Sequence, residues 1–218
     1  MGKSVYSLVL SDDVVEKIDQ AAYQKNTSRS NLINQILAEY VSFVTPEKHM
    51  QDIFRALTQI ISQCQPLAVQ GQSSGAMLSI RSPLQVKYNP TLKYTVELFR
   101  SREQGVGELK IMARTQSAQL LELLDGFFLL FCSVETRYLA RLFPGISPNY
   151  QIGQGRLQRR FFLLNTSCCN EEIGEALAKY IQMVDAALKQ YISAPPVERQ
   201  RAMEQIYTNY LQQTPVIV

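Results

Sequence analysis

The apolar positions along the chain change their period several times, and each change marks an element. Val5 to Leu10 (VYSLVL) is short, β-branched and aromatic, and predicts a strand. From Ser11 the spacing turns helical. Val14, Val15, Ile18, Ala21 and Ala22 share one face, Ser11 is a good N-cap, and Asp12 and Asp13 put negative charge on the first-turn amides. This helix should stop near Lys25-Asn26, since asparagine tolerates a left-handed exit. Ser28 then caps a second helix from Arg29 to about Val44, with Ile33, Ile36, Leu37, Tyr40, Val41 and Val44 on its apolar stripe. One strand and two short helices cannot bury these faces alone, and a lone strand has no backbone partner. The pattern therefore predicts pairing with a second copy: two strands as an antiparallel ribbon over four helices.

Thr45-Pro46 opens a third helix, with Met50, Ile53, Phe54, Leu57, Ile60, Ile61 and Cys64 as its apolar positions. The spacing suits a coiled-coil-like connector of two heptads, and equally a core-facing helix of a second domain. Residues 65–76 (QPLAVQGQSSGA) carry Pro, Gly and Ser without period, as a boundary or loop does. Three parts follow: a module over 1–45, a connecting helix and loop over 46–76, and an α+β body over 77–218. In the body, Met77 to Ser82 predicts a short strand. Leu92 to Arg100 and Glu108 to Arg114 predict a hairpin around the turn Ser101 to Gly107. Ser117 to Phe143 is a long helix apolar on most sides, the mark of a core or a subunit interface. Arg156 to Leu164 predicts another strand, and Asn170 to Ile192 and Val197 to Gln213 predict two more helices.

The first 45 residues carry a resemblance. A strand, then Leu10-Ser11-Asp12-Asp13-Val14-Val15-Glu16-Lys17-Ile18-Asp19, then Asn26-Thr27-Ser28-Arg29-Ser30-Asn31-Leu32-Ile33, resembles the ribbon-helix-helix family of the Arc, MetJ and CopG kind over residues 3–44. The resemblance implies an obligate dimer whose paired ribbon enters the major groove of double-stranded DNA. It implies Lys3, Val5, Ser7 and Val9 as the base-reading set. Lys3 and Ser7 can bond base edges, whereas Val5 and Val9 can touch only thymine methyls. It also implies a phosphate held at the start of the second helix by Ser28, Arg29 and Ser30. Independently of any family, a serine-capped helix start beside an arginine is an anion site. The expected fold class is thus α+β and helix-rich: a ribbon-helix-helix dimer module, a connecting helix, and an α+β C-terminal domain with an antiparallel hairpin and a long buried helix.

Charge refines this picture. Residues 1–45 hold four basic and five acidic side chains, a weak footprint for a DNA-binding face. Residues 77–169 hold twelve basic and six acidic ones. The basic set includes Arg81, Lys87, Lys93, Lys110 and Arg114, with Arg100, Arg102, Arg156, Arg159 and Arg160 as candidate secondary DNA contacts. Such a cluster is either a second phosphate-contacting surface or the solvated face of a sheet.

Candidate chemistry is sparse. The lone histidine, His49, and four cysteines without a CxxC pair provide neither a zinc site nor a nucleophile–base arrangement. There is no GxxxxGK[ST] and no GxGxxG, and the carboxylates are not paired for acid–base work. The expectation is no enzyme, no metal and no cofactor. The most apolar run, Leu120 to Cys132, is interrupted by Glu122 and Asp125, so no membrane partner is expected. No basic-then-apolar leader precedes the first strand, and the expected location is the cytoplasm. Transcriptional repression by a homodimer, or a higher oligomer, is the leading functional expectation. Plasmid partition or a relaxosome accessory role is its nearest alternative. A dimeric scaffold whose body binds another protein is the alternative of a different class.

Overall fold

A computed structural model describes residues 6–41, 44–86, 89–165, 167–212 and 217–218. It divides into two compact units, residues 1–45 and 46–218.

The first unit contains α1 (Asp12–Gln24) and α2 (Arg29–Tyr40). Asn26 takes a positive φ of 49° at the exit of α1, as an asparagine can. The Thr27 amide donates to the Ala22 carbonyl at 3.0 Å, and α2 restarts after two residues. α2 ends at Tyr40, short of the Val44 predicted from its apolar stripe. Residues 6–10, predicted as a strand, take no strand pairing among the described residues. Lys3 and Val5 lie outside the described residues.

The second unit begins with α3 (Pro46–Ile61) and continues as β1 (Ala68–Ser74), β2 (Met77–Pro83), β3 (Thr91–Leu98) and β4 (Gly107–Ala113). Then come α4 (Ala118–Leu142), β5 (Asn149–Gly153), β6 (Arg156–Phe161), α5 (Asn170–Ser193) and α6 (Arg199–Leu211). The strands form one antiparallel sheet in the order β1-β2-β3-β4-β6-β5. The mixed α+β class agrees with the sequence reading, but the division at residue 76 does not. α3 buries Met50, Ile53, Phe54, Leu57 and Ile61 in the core of the body, packed on α5, so it is no connector. The stretch read as a loop forms β1. Its bulges, between Val69 and Gly71 and between Gln72 and Ser74, suit an edge strand that must not template further pairing.

Alternation sets the two faces of the sheet. Leu78, Ile80, Leu92, Tyr94, Val96, Leu109, Ile111, Leu157 and Phe161 point into one core with α3, α4 and α5. Arg81, Lys93, Lys110, Met112, Arg156, Gln158 and Arg160 occupy the alternate positions, on the face opposite the helices. On the helical side, Gly174 lets α5 close on α3. A Cβ there would meet the Ile53 carbonyl oxygen at 2.6 Å and the Ala56 Cβ at 2.7 Å. Gly174→Ala should therefore destabilise the protein. Overpacking costs about 1–3 kcal/mol, more than the roughly 1 kcal/mol that alanine gains over glycine in a helix. A urea midpoint lower than wild type checks this; a higher one would mean the helices can part without penalty.

Candidate nucleic-acid interface

The start of α2 is built from local signals. Ser28 has an extended backbone, and its Oγ accepts from the Asn31 amide at 3.3 Å. The Leu32 amide donates to the Ser28 carbonyl at 3.0 Å. The amides of Arg29 and Ser30 lie ahead of these donors, among those a helix leaves without an intrahelical partner. α2 has no acidic residue in its first turn, whereas α1 carries Asp12 and Asp13 there. Of the two helix starts, that of α2 has no carboxylate of its own first turn to oppose an anion.

Sequence reasoning missed the partner of Arg29. Its Nε donates to Asp19 Oδ1 at 2.6 Å, and its Nη2 bonds Oδ2, a two-pronged pair that ties α2 to α1. The hydrogen bond from Arg29 holds the Asp19 carboxyl below its ordinary range. Both side chains are about half exposed, so a phosphate can compete with the carboxylate for the guanidinium.

Apolar exposure is the other feature of this unit. Among the described apolar residues of this unit, Ala22, Leu32 and Ala38 are buried, while Tyr6 (83%), Leu8 (59%), Val9, Val14, Ile36 (47%) and Leu37 stand exposed. Val14, Ile18, Ala21, Leu32 and Ile36, with Asp13 and Lys17, line an open groove of about 390 Å³. Of the base-reading candidates, Ser7 and Val9 are both exposed.

The candidate secondary contacts on the body scatter. Arg159 is a correction: it is 1% exposed, buried beneath the sheet, and cannot meet DNA. It alternates with Leu157 and Phe161 on β6, which turns it inward, and it pairs with the buried Glu135 of α4 at 3.3 Å. Glu135 also accepts from the Tyr180 hydroxyl at 2.9 Å and from that of Tyr150, while Arg159 Nη1 donates to the Arg160 carbonyl. The guanidinium lies 4.9 Å from the Phe161 ring centre. Burial, then the Glu135 charge, pushes the Tyr150 and Tyr180 hydroxyls far above their ordinary range and the Cys132 thiol up to about 12. Every polar group of Glu135 and Arg159 that this nest names is matched inside the core, the pattern of a structural network.

Arg100 pairs with Glu47 at 3.7 Å, and Arg160 lies over the Phe99 ring at 5.1 Å. Of Arg102 only the backbone is described, in a single 3-10 turn. Arg156 is exposed on the face away from the helices. Among the described residues there is no group of three or more His, Cys, Asp and Glu able to hold a metal, and no helix long and apolar enough to cross a membrane.

Comparison of the chain with protein-family models, curated proteins and solved structures finds no match.

Proposed function

We propose that the chain is a homodimeric, sequence-specific DNA-binding protein, with repression of transcription as its use. In this reading two copies of residues 3–10 pair as a ribbon, with Lys3, Val5, Ser7 and Val9 in the major groove. Ser28, Arg29, Ser30 and the α2 amides hold a phosphate on each side. The supporting observation is the unfinished core of the first unit. Large apolar side chains stand exposed around a groove lined by α1 and α2, and the first turn of α2 holds no acidic residue. A second copy covers that surface and gives residues 6–10 the backbone partner they lack. The ribbon then reads bases while the helix starts fix register on the backbone.

One observation favours a second reading, in which the unit only dimerises and the body binds another protein. Arg29 is already matched by Asp19, and residues 1–45 carry no positive excess. Titrating labelled duplex DNA against salt separates the two. A DNA-binding protein should lose affinity steeply between about 50 and 200 mM salt, and Arg29→Ala should weaken all sequences alike and flatten the salt slope by about one. Affinity that is absent, or indifferent to salt and to Arg29, favours the scaffold.

A further inference from the structure

The face of the sheet opposite the helices is not evenly charged. At one end, Lys110 sits between Glu97 at 2.9 Å and Glu108 at 2.7 Å, so its charge is met. At the other end, strand register lines up Arg81 of β2, Lys93 of β3, Met112 of β4 and Arg156 of β6, each directly opposite the next. The row is bounded by small residues, Ala68 opposite Arg81 and Gly153 opposite Arg156. Arg114, two residues beyond Met112, continues the alternation past the end of β4 and is exposed. Among the described residues, none of these four cations has an ion pair or a side-chain hydrogen bond. Many other body cations among the described residues do: Arg55, Arg100, Lys110, Arg137, Lys179 and Lys189 all meet carboxylates.

This arrangement works against the fold taken alone. Like charges directly opposite on neighbouring strands repel, and Arg81 faces Lys93 with no carboxylate between them. Strand spacings of about 4.8 Å make the row roughly 14 Å long, on a surface with no helix of the body above it. Unmatched cations at this spacing complement a line of negative charge rather than a single small anion. The side chains in the row are Arg, Lys and Met, with no aromatic platform on which bases would stack. A phosphodiester backbone therefore suits it better than unpaired bases.

We infer that the row Arg81–Lys93–Arg156, extended by Arg114, is a sequence-independent docking surface for the phosphate backbone of double-stranded DNA. It adds phosphate contacts to those of a weakly charged N-terminal unit, and in that respect it rests on the DNA-binding reading above. The contact is electrostatic, so it contributes affinity and salt dependence and no base preference.

The test uses the full chain and a short labelled duplex of arbitrary sequence. The triple variant Arg81→Gln/Lys93→Gln/Arg156→Gln is compared with a charge-matched triple, Arg55→Gln/Arg137→Gln/Lys179→Gln, on helix surfaces. Each cation that meets a phosphate contributes about 0.9 to the slope of log affinity against log salt. The sheet triple should therefore lose between two and three units of slope, and at least about tenfold in affinity at 200 mM salt. The charge-matched triple should lose far less, and Arg81→Lys/Arg156→Lys, which keeps the charges, should stay near wild type. Equal behaviour of the two triples overturns the inference, because the effect is then one of net charge. Unchanged binding by the sheet triple overturns it too. Failure of the N-terminal reading shows separately: Lys3→Ala/Ser7→Ala would leave sequence preference unaltered while the sheet triple still flattened the slope.

Discussion

Replacing Glu135 with alanine should cost the protein about 3–5 kcal/mol, the range found when one partner of a buried ion pair is removed. The carboxylate is 2% exposed and Arg159 is 1% exposed, so no solvent stands by to take over the guanidinium. The Tyr150 and Tyr180 hydroxyls lose their acceptor at the same time. Each buried hydroxyl left unpaired adds about 1–3 kcal/mol to the cost. Against a typical total stability of about 5–15 kcal/mol, the variant should be largely unfolded well before wild type in a urea titration. The double variant Glu135→Leu/Arg159→Met should recover part of the loss. It removes both charges together, and apolar replacement of a whole buried pair is often neutral or better. Recovery should stop short of wild type, because the two tyrosines remain without an acceptor. A Glu135→Ala midpoint close to wild type would mean that water reaches the nest.

On the proposed dimeric, DNA-reading account, Ile36→Asp should give a monomer and abolish sequence-specific DNA binding with it. Ile36 lines the apolar groove with Val14, Ile18 and Leu32, and is half exposed in the single chain. Burying such a side chain contributes about 1.5–3 kcal/mol. Ile36 is already about half buried in the single chain, so a two-fold dimer that covers the remainder twice gains about 1.5–3 kcal/mol, and the dissociation constant should rise by roughly one to two powers of ten. Sedimentation across a concentration series reads this directly. A dimer that survives the substitution would show that this groove is not the dimer surface.

The sequence made the local signals of the first unit legible: the Ser28 cap, the left-handed Asn26 and the first residues of both helices. These depend on neighbours a few positions apart. The β3–β4 hairpin and α4 were legible because their alternation and apolar periods are long. β1 was not, since its Gly- and Ser-rich stretch has no period and is held as an edge by β2 alone. α3 fitted two architectures, and only its burial against α5 separates them. The inward turn of Arg159 was available in the alternation Leu157, Arg159, Phe161, but an Arg-Arg pair suggests a surface, and its buried partner lies 24 residues away. The Asp19–Arg29 pair spans only ten residues, but it forms only once the α1–α2 turn has brought the two helices together. The unpaired row Arg81, Lys93 and Arg156 comes from strand register, which composition does not carry.

The central claim, that paired N-terminal segments read DNA sequence, is tested most directly by selecting from random duplex oligonucleotides at physiological salt. Wild type should enrich a palindrome or a pair of repeated half-sites, and Lys3→Ala/Ser7→Ala should lose that enrichment while keeping general affinity. Binding without enrichment, or enrichment that survives the double substitution, would contradict it.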